Sequence, residues 1–599
     1  MFSVILIYFC MSSASFAEER FSEEVLIKEL GHGFTSFHFN FVSQIPEYEH
    51  RAQHHNIVPK AFLDLLSKYS ADELHLSIVR GYWDDEHWGR NFVMVAPTGA
   101  ELWAWFHRAT KNVDQAWFEL AHAVSGLFCA SLNRMSSKAN SAGPQWSYRP
   151  VGISDLLNND TGRLRYAQMP GESLCSENLT PWIKLLPCKD LKGLASLLVP
   201  TSLFRSNYLS LRIGLRRVCW DHSCTLLGIE AVQTLTVVFD RRILYRDLNQ
   251  PWSFKGLLGS TMKGTCDAAH SSRVIVITSP VELNVSRWVP SGKNHLQDNR
   301  VQMTALSSDL FDDLDGPVLF SVAPSPSTTS PSALPLLSVS KYLTGSGVAD
   351  GGIRVLLTSR CDFTLKAVYL DLVPWYLQVL FSSLRVHQRN NSSGAWTLVD
   401  PVKMNLVPNL SRQRMGTIEL LLSIPPTSQV SVSYTFHRVL QRWDEYPPDA
   451  NHGYFLPATS ISYQVPKRKF INGLRNTDAA FRELALPNWA STYTQYFNDS
   501  SKDTSFRPGD GFFRVHSAVI LISMPTPDFS MPFNTLCIVC SVIAMLFGSV
   551  NKATAGHLTA RPPSESETTI IGFTTRRPLS AFRLVSDVSQ TTASKGCGG

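Results

Sequence analysis

The chain predicts a mainly β protein with some α: an α+β first region, a β-sandwich-like second region and one C-terminal transmembrane helix. Three observations carry this. Short runs alternating apolar and polar residues recur throughout, as half-buried strands require. One segment, residues 111–130, places Val113, Trp117, Leu120, Val124 and Leu127 at spacings of 4, 3, 4 and 3, the signature of one helix face. Residues 533–550 hold no charge over eighteen positions, enough for a helix of about 27 Å.

The 599 residues exceed what a single core usually holds. With 44% hydrophobic and only 17% charged residues, a wholly disordered chain is excluded, and a net charge of +6 is too dilute for nucleic-acid binding.

From the N-terminus, residues 2–10 (FSVILIYFC) are apolar but too short to span a bilayer. Ser15 and Ala17 then occupy the −3 and −1 positions of a cleavage site, so residues 1–17 read as a signal peptide, with a buried first strand as the alternative. Residues 18–322 form an N-terminal luminal α+β domain, with strands expected at 74–79 and 233–239 around the 111–130 helix. The Ser/Pro-rich stretch 323–337 is a linker or surface loop. A β-sandwich-like domain follows over 338–523, with strands at 353–358, 365–372, 417–424, 430–436 and 515–522. A Pro-rich membrane-proximal segment (524–532) leads to the transmembrane helix, expected to begin after Pro532. Lys552, Arg561, Arg576, Arg577, Arg583 and Lys595 follow the span, which places the polar, disordered tail 551–599 in the cytosol and the bulk of the chain in the lumen. A buried core helix is the alternative for 533–550. About fifty polar residues follow this stretch, which argues against a removable GPI-attachment signal.

Of the eleven Cys, Cys10, Cys537, Cys540 and Cys597 leave the lumen, so seven remain: Cys129, Cys175, Cys188, Cys219, Cys224, Cys266 and Cys361. An odd number in an oxidising compartment points to a free thiol or a bond to another chain. Cys219 and Cys224 can close a small loop or hold a metal with His222, and the compartment favours the disulfide. Sequons at Asn159, Asn178, Asn284, Asn390, Asn391, Asn409 and Asn498 all precede the span.

Motifs for catalysis are sparse. No GxSxG, HExxH or GxxxxGK[ST] occurs. His122 lies seven residues before Cys129, where a buried structural Cys is the favoured reading over a nucleophile pair. Asp84, Asp85 and Glu86 sit among aromatic residues and can be imagined in a glycosidase, but neighbouring carboxylates rarely face each other across a sugar, so a solvated loop is favoured. No metal site and no cofactor is assigned.

Several strings together resemble the T subunit of GPI transamidase: PKAFLDLLSKYSADELHLSIVRGYWDDEHWG (59–89), PTGAELWAWF (97–106), SGLFCASLN (125–133), CSENLTPWIKLLPC (175–188), QTLTVVFD (233–240), LDLVPWYL (370–377), YPPDANHGYFLP (446–457) and MPTPDFSMPFN (524–534). The likeness covers residues 24–550. It implies a non-catalytic type I subunit in the endoplasmic-reticulum membrane. Its partners would be a caspase-like catalytic subunit, the other membrane subunits, the GPI lipid and precursor proteins. It also implies that Cys175 makes an interchain disulfide to the catalytic subunit; an intrachain bond to Cys188 is the alternative. Cys129, Cys188, Cys219, Cys224 and Cys266 are then intrachain candidates, and Cys361 has no counterpart in the family pattern. Asn451, Asp528 and Ser530 would line the lipid-headgroup region, where a carboxylate binds an ethanolamine amine; turn and cap chemistry is the alternative. Beyond residue 550 the likeness stops. The rival readings are a single-pass adhesion or receptor-like β-sandwich glycoprotein, or a membrane-tethered glycosidase.

Overall fold

The computed structural model describes residues 19–46, 57–89, 95–150, 161–189, 191–220, 225–244, 252–278, 295–298, 301–306 and 321–322. It also describes 335–555, apart from 346, 348, 391–393, 447, 448, 450, 466–510 and 527–529. The signal peptide, most of the 323–337 stretch and nearly all of the 551–599 tail therefore lie outside the described residues.

The first region is built on strands β1 (Arg20–Glu29), β2 (Phe34–Pro46), β3 (Ala71–Arg80), β4 (Gly99–Phe106), β5 (Leu164–Met169), β6 (Tyr208–Cys219), β7 (Leu227–Asp240), β8 (Trp252–Ser253), β9 (Ser271–Thr278), β10 (His295–Asp298), β11 (Val301–Leu306) and β12 (Ser321–Val322). Ten of these form one sheet in the order β10-β11-β9-β1-β2-β7-β6-β3-β4-β5. All pairings are antiparallel except β1 with β9. The expected strands 74–79 and 233–239 are the centres of β3 and β7.

Helices α1 (Lys60–Ser67), α2 (Asp85–Trp88), α3 (Val113–Phe128), α4 (Ser176–Lys184), α5 (Pro200–Leu203), α6 (Arg241–Leu244) and α7 (Phe254–Leu258) are interspersed. The apolar stripe anticipated over 111–130 is α3. Its Trp117, Leu120 and Val124 are buried with Phe62 and Leu66 of α1 and Trp182 of α4 in the main core.

Strand β4 explains how the two regions meet. Its sequence GAELWAWF is buried at every position. Alternation sends Ala100, Leu102, Ala104 and Phe106 into the helix-covered core. Trp103 and Trp105 go to the opposite face, where they pack with Leu370, Leu372 and Met415 of the second region. A strand buried on both faces needs a layer on each side. Residues 1–439 and 455–522 accordingly cluster as one compact unit.

The second region supplies that layer as a sandwich of β13 (Leu337–Thr344), β14 (Asp350–Ser359), β15 (Leu365–Val373), β16 (Leu377–Asn390), β17 (Thr397–Leu398), β18 (Lys403–Val407), β19 (Gly416–Ile424), β20 (Ser428–Arg438), β21 (Tyr454–Leu456), β22 (Ser460–Val465), β23 (Gly511–His516) and β24 (Ile520–Ile522). One sheet runs β13-β14-β20-β16-β17 and the other β18-β19-β15-β22-β23. In the second of these, β15 and β19 are buried on both faces, against the sandwich interior and against β4 and β5. The strand expected over 515–522 divides into β23 and β24. At the break, the Ser517 hydroxyl accepts from Thr459 N (3.0 Å) and Ser517 N donates to Thr459 O (3.0 Å), so a side chain takes a place in the ladder.

The final helix, α8 (Ser530–Ala555), begins three residues before the anticipated start at Phe533. Pro532 is tolerated because first-turn N–H groups have no intrahelical acceptor. The stretch able to cross a membrane by length and composition is Phe533–Thr554. Its hydroxyls are satisfied within the helix: Thr535 donates to Met531 O at 2.9 Å and Ser541 to Cys537 O at 2.7 Å.

Glu23 on β1 makes the fold pH-sensitive. It accepts from Leu194 N (3.1 Å) and Ser272 Oγ (2.8 Å), while its Oε2 has no partner among the described residues. Burial pushes its pKa from 4.5 up to about 7. The folded state thus holds this proton more tightly than the unfolded chain. Stability from this group is present below about 4.5 and lost as pH rises to 7, a loss of about 3 kcal/mol. Glu23→Gln is expected to flatten that slope, measured as denaturant midpoints of the detergent-solubilised full chain across this pH range.

Candidate functional site

Two places collect the residues singled out from the sequence: the start of α4, and the membrane-proximal segments. Cys175 is the N-cap of α4, in extended conformation, with a half-buried side chain. Asn178, one turn on, closes a cap around it. Asn178 Oδ1 accepts from Cys175 N at 3.0 Å and from Cys175 Sγ at 3.1 Å. The same amide donates to Phe128 O (2.9 Å) and Cys129 O (3.1 Å). These are carbonyls at the C-terminal end of α3, which have no N–H donor inside their own helix. One fully buried side chain therefore ties the start of α4 to the end of α3 and sets the Cys175 thiol at the surface.

The cysteines sort by environment. Cys188 and Cys266 are joined, with Cα atoms 5.8 Å apart. Cys188 is thereby removed as a partner for Cys175. Cys219 is also disulfide-bonded, whereas Cys224 and His222 lie outside the described residues. Among the described cysteines that precede α8, Cys129 and Cys175 are free thiols, and Cys361, whose Sγ donates to Leu336 O at 3.5 Å, is in no disulfide. Cys361 is 2% exposed and behaves as a small core residue. Cys129 differs from its expectation twice: it is neither bonded nor buried. It terminates α3 in the left-handed region (φ 49°), which turns its side chain away from the core stripe. His122 packs against Phe118 instead, the rings tilted by 46° with centres 4.4 Å apart.

The carboxylates at 84–86 serve local structure. Asp84 caps α2, accepting from Glu86 N (3.1 Å) and His87 N (3.2 Å), and also meets His87 Nδ1 at 2.6 Å. Burial, followed by the charge of Asp84, pushes Asp85 up to about 7.

The membrane-proximal residues belong to a second unit, 440–454 with 523–599. Within it the Tyr446 hydroxyl donates to Pro525 O, and Tyr454 OH donates to Gln441 Oε1 (2.7 Å) and Glu445 O (2.8 Å). This joins the Asn451 turn to the segment entering α8. Asn451 is exposed, its N–H donating to Asp449 Oδ1 at 3.0 Å. Ser530 opens α8, and Asp528 lies outside the described residues.

A family model described as "Gpi16 subunit, GPI transamidase component" matches residues 4–248 and 244–569. The chain belongs to the Gpi16 family. Curated relatives agree along the same length. The mouse GPI-anchor transamidase component PIGT is 32% identical over 555 residues, 90% of each chain. The human PIGT is 33% identical over 545 residues, 88% of each chain. GPI16 of Saccharomyces cerevisiae is 26% identical, covering 83% of this chain and 80% of that one. Among solved structures, the collagen-binding domain of Erysipelothrix rhusiopathiae RspB overlays with a TM-score of 0.15 at 9% identity, covering 75% of this chain and 87% of that one, too low to bear on the fold.

In this Gpi16-family chain the sequons are not equivalent. Asn178 is fully buried with its amide donating twice. Asn409 donates to Pro374 O (2.9 Å) and to Leu377 O. A glycan replaces one amide hydrogen, so one on either residue would cost a hydrogen bond that this fold makes. Asn390 is exposed at the end of β16. Asn159, Asn284, Asn391 and Asn498 lie outside the described residues. Thr180→Ala, which deletes the Asn178 sequon, is expected to leave electrophoretic mobility unchanged. Peptide mass spectrometry after enzymatic deglycosylation is expected to find Asn178 and Asn409 unmodified.

Proposed function

We propose that the chain is the non-catalytic scaffold subunit of GPI transamidase in the endoplasmic-reticulum membrane. It supports attachment of GPI anchors to precursor proteins and holds the caspase-like catalytic subunit through an interchain disulfide at Cys175. The observation that carries this reading is the sorting of thiols: Cys188 and Cys266 are bonded to each other and Cys361 is buried, and of the two accessible thiols, Cys129 and the half-buried Cys175, it is Cys175 that is held at a helix start by Asn178. A thiol held at a helix start by a buried amide has a defined direction of approach, as a covalent link between two folded chains requires. The basic residues after α8 support a luminal body and a cytosolic tail. Asp528 and Ser530 directly precede the span in the sequence and Asn451 falls in the same compact unit, and a carboxylate with neutral polar groups suits an amine- and phosphate-bearing lipid headgroup.

The test is a non-reducing gel of the affinity-purified complex. A reducible heterodimer is expected in the wild type and in Cys129→Ser, and none in Cys175→Ser. A bonded species that survives in Cys175→Ser, or a wild-type chain running as a monomer without reductant, overturns the covalent link. Surface display of a GPI-anchored reporter is expected to fall in Asp528→Ala with the heterodimer intact.

A further inference from the structure

The sandwich has two outer faces, and they meet different fates. One is covered by β4 and β5. The other, the outward side of the β13-β14-β20-β16-β17 sheet, is covered by no other sheet among the described residues. The register shows what stands there. Arg385 of β16 lies opposite Ser433 of β20, which lies opposite Arg354 of β14, itself opposite Tyr342 of β13. Two residues along β16 comes His387, opposite Ser431, and two further comes Arg389, opposite Gln429. Three guanidiniums thus share one sheet face with hydroxyl and amide neighbours.

No carboxylate sits among them. Arg354 Nε donates to Ser431 Oγ (2.7 Å), Arg389 Nε to Gln429 Oε1 (2.7 Å), and Arg385 Nη1 to Ser382 O (2.8 Å) and Leu384 O (2.9 Å). None of the three is ion-paired among the described residues. The acid of β14, Asp350, lies at the strand's far end and pairs with His437. Trp396, from the loop after β16, is stacked by both Arg354 (5.2 Å to the ring centre) and Arg389 (4.7 Å). A half-exposed Trp held between two arginines, with Tyr342 in the same row as Arg354, has the residue types that dominate protein–protein hot spots.

We infer that this outer sheet face is a docking surface for an acidic segment of a luminal partner subunit in the same complex; the inference rests on the scaffold reading above. Arginines without an ion pair among the described residues supply charge complementarity, and an open sheet face with a preset aromatic centre fits a folded protein better than a small ligand.

The experiment uses the tagged full chain purified from cells in mild detergent, as wild type, Arg385→Glu and Arg385→Glu/Arg389→Glu. Recovery of every subunit is measured at about 0.15 M salt and at several-fold higher salt. One subunit not linked through Cys175 is expected to fall at least about 5-fold in the double variant, and the wild type is expected to lose the same subunit at high salt. The Cys175-linked species is expected to persist, so failure of this inference is distinct from failure of the scaffold reading. Arg385 touches only carbonyls of its own strand, so its single reversal tests the idea even where the double variant folds poorly. Wild-type recovery of all subunits in Arg385→Glu overturns the proposal. So does loss of salt-sensitive retention on a mannose 6-phosphate resin with every subunit retained, which assigns the face to a phosphorylated glycan.

Discussion

Glu419→Gln is expected to destabilise the luminal body by about 3–5 kcal/mol, although the two side chains have the same shape. Glu419 is fully buried on β19 and makes no ion pair among the described residues. Its carboxylate accepts instead from three successive backbone amides of an irregular segment, Gln145 N (2.6 Å), Trp146 N (3.1 Å) and Ser147 N (3.1 Å), and from Asn405 Nδ2 (3.0 Å). Glutamine turns one acceptor into a donor facing donors, leaving several buried N–H groups unmet. The consequence is local to the join between the two regions. Hydrogen exchange at residues 145–147 is expected to accelerate far more than exchange in β2 or β7. An unchanged denaturant midpoint would remove Glu419 as the clamp.

Lys341→Met is expected to cost a similar amount, about 3–5 kcal/mol, by a different route. Lys341 and Asp371 form an ion pair at 2.7 Å with both side chains shut from solvent. The ammonium also donates to Pro457 O (2.9 Å), and Asp371 accepts from Tyr434 OH (2.7 Å) and Tyr369 OH (3.2 Å). Burial, then the nearby Asp371 charge, pushes both phenols well above their ordinary value of 10, so they remain donors. Methionine fills much of the space but leaves a carboxylate inside the sandwich with only phenols for company. Lys341→Met/Asp371→Asn is expected to recover a large part of the loss, because the stranded charge is what costs most. Equal midpoints for the single and double variants would contradict this account.

Much of the fold is legible in residue order because period and burial coincide. The 4-3-4-3 stripe of α3 and the alternation in β7 report local geometry, and so do the uncharged residues of α8. The join between regions is not legible, since Glu101, Tyr148, Tyr166, Gln168, Ser460 and His516 come from positions far apart in sequence. Tyr148 OH meets Glu101 Oε1 at 2.6 Å, Tyr166 OH at 2.8 Å and Ser460 Oγ at 3.1 Å. Ser460 in turn meets His516 Nδ1 at 2.9 Å, and burial pushes His516 down to about 4. The one local clue was the run Leu102-Trp103-Ala104-Trp105-Phe106, whose lack of polar alternation marks a strand covered on both sides. At the candidate site, the odd cysteine count pointed to a free thiol but not to which one. The pairing of Cys188 with Cys266 and the surface position of Cys129 depend on how α3, α4 and the residues before β9 pack, which spacing does not encode.

The double coverage of β4 has a consequence for biogenesis. Tyr148 and Ser460 are 312 residues apart, and a ribosome adding roughly 5–20 residues per second needs on the order of 15–60 s to bridge them. Through that interval Trp103 and Trp105 await their cover, exposed to whatever chaperones the translocating chain meets. Truncation upstream of Leu370, which removes Leu370, Leu372 and Met415 together, would strand the first half in this sticky, unfinished condition, making it a target for quality control rather than a shorter working part.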